Sequence, residues 1–230
     1  VSQVEGISSP AELPGGEDSG RVLHCVHSML DMQEEMNTAV HIEWQAQGYA
    51  WYRALWLECA ELLEHYDWKW WRRQETDTEQ LRLEVVDIWH FGLSALLAGV
   101  GRDAAAETAA AAFLAPVSSP PTVPEAAEAL ALDVLQSRAF SVPLFRSLAA
   151  AAGMGFDDLY ARYIGKNVLN LFRQRHGYRD GSYCKQWNGR EDNRHLEEVM
   201  AACDATSPNF RRRVEDALES RYRALSAAQP

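Results

Sequence analysis

From Arg21 onward, apolar side chains recur every three or four residues with polar ones between them, the period of helices that bury one face. The pattern predicts helices over about Val22 to Gln47, Tyr49 to Tyr66 and Thr78 to Ala98, the last with Thr76 or Thr78 as its N-cap and Gly99 as its stop. It resumes at about Glu125 to Arg138, Val142 to Ala152 and Phe156 to Arg175. A glycine-bearing loop and two charged helices ending near Leu225 follow. No two-residue alternation interrupts these segments, so the expected fold class is all-α, a helical bundle in one domain over residues 21–230. The first twenty residues, rich in Pro, Gly, Ser and acids, read as a tail. Between them the two helical runs leave "GRDAAAETAAAAFLAPVSSPPTVP", residues 101–124, which reads as a frayed helix and a linker. It separates a helical part over 21–100 from one over 125–230.

Composition adds constraints. With 230 residues and 47% hydrophobic content the chain can bury a substantial core. A net charge of -11 and a pI of 5.1 argue against sequence-independent binding to nucleic acid, which needs a dense basic face. Cys25, Cys59, Cys184 and Cys203 form no CxxC pair, so neither a zinc site nor a disulfide framework is indicated. Free thiols fit the cytoplasm, or the nucleus of a nucleated cell. No signal-peptide pattern and no apolar run of about 20 residues is read, so no membrane is expected.

Candidate chemistry begins with two acidic pairs at helical spacing. Glu58 and Glu61 stand in "LWLECAELLEHY", Glu84 and Asp87 in "LRLEVVDIWHF", each pair on one side of its helix. Leu55, Leu62, Leu81 and Ile88 flank them, so the acids interrupt apolar stripes where unneutralised anions are costly. Two helices joined by a short connection lie side by side, which lets the pairs face each other as an all-oxygen cage for Mg²⁺, or Mn²⁺ as substitute. Asp87 and His90 also form one acid-x-x-His motif of the ferritin-like di-iron kind. That class requires two such motifs, and one is found.

The second half supplies cations. Lys166, Asn170 and Arg173 fall on one helical stripe, and "GYRDGSYCK" adds Tyr178, Tyr183, Lys185 and two glycines, a wrap suited to a polyphosphate without a Walker motif. Gln33 and Asn37, at i and i+4 of the first helix, offer amides that can read a base edge in either polarity. "WKWW", Trp68 to Trp71, follows directly on the acid-bearing helix.

Together these motifs resemble the dimeric, all-α dUTPases, relatives of the dCTP and MazG-like pyrophosphatases within the all-α NTP pyrophosphatase superfamily. The resemblance rests on ExxE at Glu58 and Glu61, on WKWW, and on ExxD at Glu84 and Asp87 followed by His90. It continues through "YIGKNVLNLFRQRHGYRDGSYCK" from Tyr163 to Lys185 and the "NGREDN" beyond it. Asp67 stands where proline is expected and Gly165 where alanine is expected. The resemblance implies hydrolysis of dUTP to dUMP and pyrophosphate, with dUDP also accepted, by a homodimer that uses two or more Mg²⁺ ions per site. It implies that Glu58, Glu61, Glu84 and Asp87 hold metal and that Glu61 orients or deprotonates water. Lys166, Arg173, Tyr178, Tyr183 and Lys185 would hold phosphates, and Gln33, Asn37, Trp70, His90 and Asn170 the deoxyuridine. Alternatives are a dCTP or modified-nucleotide pyrophosphatase of the same superfamily and, in another class, a helical interaction or nucleotide-sensing module.

Overall fold

The computed structural model of the chain describes residues 17–116, 121–203, 207 and 209–226. Residues 1–16 of the expected tail lie outside them. Helix α1 (Glu17–Val40) already covers 17–20, ahead of the expected start at Arg21. It also stops earlier than its apolar pattern suggested. Beyond Val40 the chain turns into a single 3-10 turn (Trp44–Gln47), where the Trp44 ring folds back and its Nε1 donates to Glu34 Oε1 at 3.0 Å. Gly48, at φ 62°, ends that turn in the left-handed region that favours glycine.

Helix α2 (Trp51–Glu64) packs along α3 (Thr78–Val100) and, on another side, against α5 (Val123–Ser137). The N-cap of α3 is Asp77, whose side chain accepts from Gln80 N at 3.2 Å, and not either threonine; a carboxylate accepts this bond more strongly than a hydroxyl. α3 is the axis of the bundle, with Val85, Val86, Ile88, Trp89 and Leu93 fully buried. Its length and apolarity match those of a membrane-crossing helix, contrary to the sequence expectation, but its apolar faces are covered by neighbouring helices. At Gly92 the ring of Phe140 comes so close that a Cβ would lie 2.4 Å from it.

The expected frayed segment is instead a packed helix, α4 (Arg102–Leu114). Ala105, Ala106, Ala109 and Ala110 are buried on it, and their small side chains let it lie close against α1. Arg102 fixes the pairing through a two-pronged contact with Asp31 at 2.5 and 2.9 Å. Residues 117–120 lie outside the described residues. α5 then opens with a capping box between Thr122 and Glu125.

Helices α6 (Val142–Ala151) and α7 (Phe156–Arg175) fall where the apolar periods put them, and α7 packs against α1 and α3. Within the expected glycine-bearing loop lies a short antiparallel hairpin, β1 (Gln186–Trp187) and β2 (Arg190–Glu191). Asn188 and Gly189, at φ 51° and 75°, form the Asn-Gly turn such hairpins favour. Helices α8 (Asp192–Ala201) and α9 (Phe210–Ser226) complete an all-α fold.

Candidate active site

The face between α2 and α3 carries the acids. Carboxylate oxygens of Glu58, Glu84 and Asp87 all lie within 4.8 Å of one another, each residue half-buried. Burial pushes Glu58 up to about 8, aided by the charges of Asp87, Glu84 and Glu61. Burial likewise raises Glu84 to about 7, with Asp87 adding to the rise and Lys166 opposing it. Glu61 is exposed one helical turn further on, outside the three-acid cluster yet close enough for its charge to act on Glu58 and Glu84. His65 Nε2 lies 3.6 Å from Glu84 Oε1 at the edge of the cluster; three carboxylates converging in this way have the chemistry of a hard divalent cation site.

The basic side comes from α7 and the hairpin region. Lys166 is buried, with Nζ 2.8 Å from Asp87 Oδ2 and 3.4 Å from Asn193 Oδ1. Arg173 is held by Asp192 in a fork, Nε donating to Oδ2 and Nη2 to Oδ1, both at 2.8 Å. Its Nη1 donates to Asn170 Oδ1 at 3.1 Å, and Tyr183 Oη donates to Asp192 Oδ2 at 2.8 Å. Burial alone would raise Asp192, but the hydrogen bonds and charge of Arg173 outweigh it and hold the carboxyl below its usual range. Lys166, Arg173 and Tyr183 are thus brought to one region. Tyr178 and Lys185 sit on the exposed loop, the lysine Nζ 5.3 Å from the tyrosine ring centroid. Asp192 and Asn193 carry no role in the sequence reading; their place inside the "NGREDN" run was the one signal available for them.

Next to the acids opens a cavity of about 430 Å³. Trp44, Trp51 and Phe91 form much of its apolar wall; the Trp51 ring centroid lies 6.0 Å from that of Trp44 and 6.4 Å from that of Phe91. Its polar wall holds Gln33, Asn37, His90, Ser94 and Asn170, and Asp87 borders it as well. Gln33 Oε1 lies 3.0 Å from Tyr163 Oη, whose single proton also has Met29 O as an acceptor at 2.9 Å, and Gln33 Nε2 donates to Ser94 Oγ at 2.9 Å. Ser94 and Tyr163 were not expected; Ser94 stands one turn beyond His90, and Tyr163 one turn before Asn167 on α7.

Of the nucleoside candidates, Gln33, Asn37, His90 and Asn170 are brought together and Trp70 is not. Trp70 is 88% exposed in the connection between α2 and α3, edge-on to Trp71 with ring centroids 5.5 Å apart. The reason is local: Trp68 Nε1 donates to Leu63 O at 2.9 Å, and Lys69 turns inward to pair with Glu64, which leaves the next residue, Trp70, directed outward.

Compared with known protein families, residues 25–178 match the family model described as dUTPase, more than half of the 230-residue chain. No curated protein matches the chain.

Proposed function

The chain belongs to the all-α dUTPase family and is a dUTP diphosphatase acting on a nucleotide substrate, and from that premise we propose which of its residues carry the hydrolysis of dUTP to dUMP and pyrophosphate. The observation that supports the reading best is the shared wall of the cavity. Asp87 belongs both to the acid cluster and to the cavity, while Asn170 joins the cavity to Arg173. A nucleoside in the cavity would therefore direct its phosphates between the acids and the basic stripe.

Glu58, Glu61, Glu84 and Asp87 would hold Mg²⁺, two or more ions per site; when bound, such ions neutralise phosphate charge and make a coordinated water more acidic. Glu61, exposed beside the cluster, orients or deprotonates the attacking water. Lys166, Arg173 and Tyr183 hold phosphate oxygens from the buried side, and Tyr178 and Lys185 close on them from the loop. Gln33, Asn37, His90 and Asn170 face the deoxyuridine, with Trp51 and Phe91 as its apolar walls. Attack at the β-phosphorus accounts for acceptance of dUDP as well as dUTP.

We further read the protein as a cytoplasmic homodimer. Its supports are the family resemblance and the exposed apolar residues Trp56, Leu57, Leu132 and Leu135 on the neighbouring helices α2 and α5. Light scattering that gives a monomer mass in solution overturns that part.

The deciding experiment is turnover of dUTP, dUDP, dCTP, dTTP and UTP with and without Mg²⁺. Mg²⁺-dependent release of dUMP from dUTP and dUDP is expected; a preference for dCTP replaces the reading with a pyrophosphatase for cytosine nucleotides.

A further inference from the structure

Ser94, buried in α3, has one hydroxyl proton, and it goes to the carbonyl of His90 one helical turn back, 3.1 Å away. Asn37 Oδ1, at 3.3 Å, is the longer alternative. The Ser94 oxygen is therefore an acceptor for the two amides that reach it, Gln33 Nε2 at 2.9 Å and Asn37 Nδ2 at 3.1 Å. With that proton so placed, the Gln33 amide is assigned with its nitrogen toward Ser94. Its oxygen faces Tyr163 Oη and, at 2.8 Å, His90 Nδ1. An amide oxygen has no proton to give, so the proton of this last bond belongs to Nδ1.

Burial pushes His90 down to about 4, so the ring is neutral near pH 7 and its Nε2 carries a bare lone pair. No described residue donates to that nitrogen, although His90 borders the cavity. Asn37, on the wall of the same cavity, has a second Nδ2 proton beyond the one given to Ser94. The cavity wall therefore carries both an acceptor and a donor. Uracil presents the complement, an imide N–H flanked by carbonyls, whereas cytosine presents a bare ring nitrogen flanked by an amino group.

We infer that Ser94 is a positioning residue for base selection: through Gln33 it holds His90 in the Nδ1–H tautomer, so that the cavity accepts an imide N–H and rejects a cytosine-type ring nitrogen. The inference rests on the cavity being the nucleoside pocket. Facing cytosine, His90 Nε2 and the ring nitrogen would both be acceptors, and both would stay unpaired.

The test uses the full chain with ¹⁵N-labelled histidine, the His90 signals being assigned by their loss in His90→Asn. The wild-type protein is expected to show His90 protonated at Nδ1 near pH 7. In Ser94→Ala the Gln33 amide is free to turn, and a mixture of tautomers should appear. The kcat/KM ratio of dUTP over dCTP should fall on the order of tenfold. A wild-type His90 protonated at Nε2 overturns the proposal and needs no variant to fold. So does an unchanged substrate ratio in Ser94→Ala. A wild-type enzyme that shows the expected tautomer but turns over dCTP as readily as dUTP instead overturns the assignment of the cavity.

Discussion

Lys166 Nζ stands 2.8 Å from Asp87 Oδ2, so the buried cation of α7 meets the acid of α3 that borders both the cluster and the cavity. Without bound metal, this lysine is the positive charge nearest Asp87 among the described residues. Lys166→Met should lower kcat/KM by on the order of 100-fold through loss of a phosphate contact. It should also destabilise the metal-free protein by about 2 kcal/mol, because Asp87 loses its partner. Saturating Mg²⁺ supplies a replacement charge, so the melting-temperature gap to wild type should be smaller with Mg²⁺ than in EDTA. Equal gaps would show that the lysine and the metal do not share Asp87.

The raised carboxyls predict a pH dependence of the metal-free fold. Burial pushes Glu58 up to about 8 and Glu84 up to about 7 in the folded protein, against the ordinary value of 4.5 expected for both in the unfolded chain. Between those limits the folded state binds more protons than the unfolded one, so stability falls as pH rises from about 4.5 to about 8 and levels off above. The loss is on the order of a few kcal/mol for the coupled pair. Thermal melts in EDTA between pH 5 and 8.5 should show this slope in wild type and a shallower one in Glu58→Gln. Parallel slopes would mean that the overall acidity of the chain, and not this cluster, sets the trend.

Much of this site could be read from residue spacing, and the exceptions have a common physical cause. Glu58, Glu84 and Asp87 interrupt apolar stripes, and an ionisable group on a buried face announces itself in a helical period. Lys166, Asn170 and Arg173 share a stripe: both cations reach Asn193 Oδ1 at 3.4 Å, and Arg173 also donates to Asn170 Oδ1. Asp192 did not stand out, because its partner Arg173 lies nineteen residues away across a hairpin, a distance no helical period spans. Helix α4 differs from its expected fraying for another reason: alanine has weak hydrophobicity, and only the close approach of α1 turns its small side chains into a packing surface. Trp70 lies outside the cavity because the inward turn of Lys69, a charged residue, reverses the face that the aromatic run presents.

The fork between Arg173 and Asp192 predicts strong non-additivity. Asp192→Asn leaves the nearly buried guanidinium without its counter-charge and should cost about 3 kcal/mol, with KM for dUTP raised as Arg173 and Tyr183 lose their anchor. Arg173→Met should cost a similar amount. The double variant should be more stable than the sum of the two losses by at least about 1 kcal/mol, since neither charge is then left buried alone. Additive losses in urea denaturation would show that the two side chains do not depend on each other.

Gly165 departs from the expected alanine, and the neighbouring helix accounts for it. A Cβ there would lie 2.2 Å from Met200 Sδ, so α8 occupies the space a methyl group would need. Alanine in mid-helix gains about 1 kcal/mol over glycine, but here Met200 must turn aside to admit it. Gly165→Ala should therefore be more favourable by about 1 kcal/mol in a Met200→Ala background than in wild type. Equal effects in both backgrounds would remove Met200 as the reason for the glycine.

The two tryptophans that bracket the acid-bearing helix should behave in opposite ways. Trp51 opens α2, borders the cavity and leans on Phe91, so it belongs to the surface that a nucleoside would touch. Removing a large aromatic contact of that kind costs about 1 kcal/mol or more, and Trp51→Ala should raise KM for dUTP roughly tenfold. Trp70 is 88% exposed and meets only Trp71 among the described rings. Its replacement by alanine should change stability by less than about 0.5 kcal/mol. If the connection between α2 and α3 keeps its conformation when substrate binds, Trp70→Ala should also leave KM within about twofold of wild type, below the roughly 0.5 kcal/mol at which a lost aromatic contact registers. A KM that rises tenfold in Trp70→Ala with unchanged melting temperature would show the opposite: that the connection swings inward and carries Trp70 to the nucleoside.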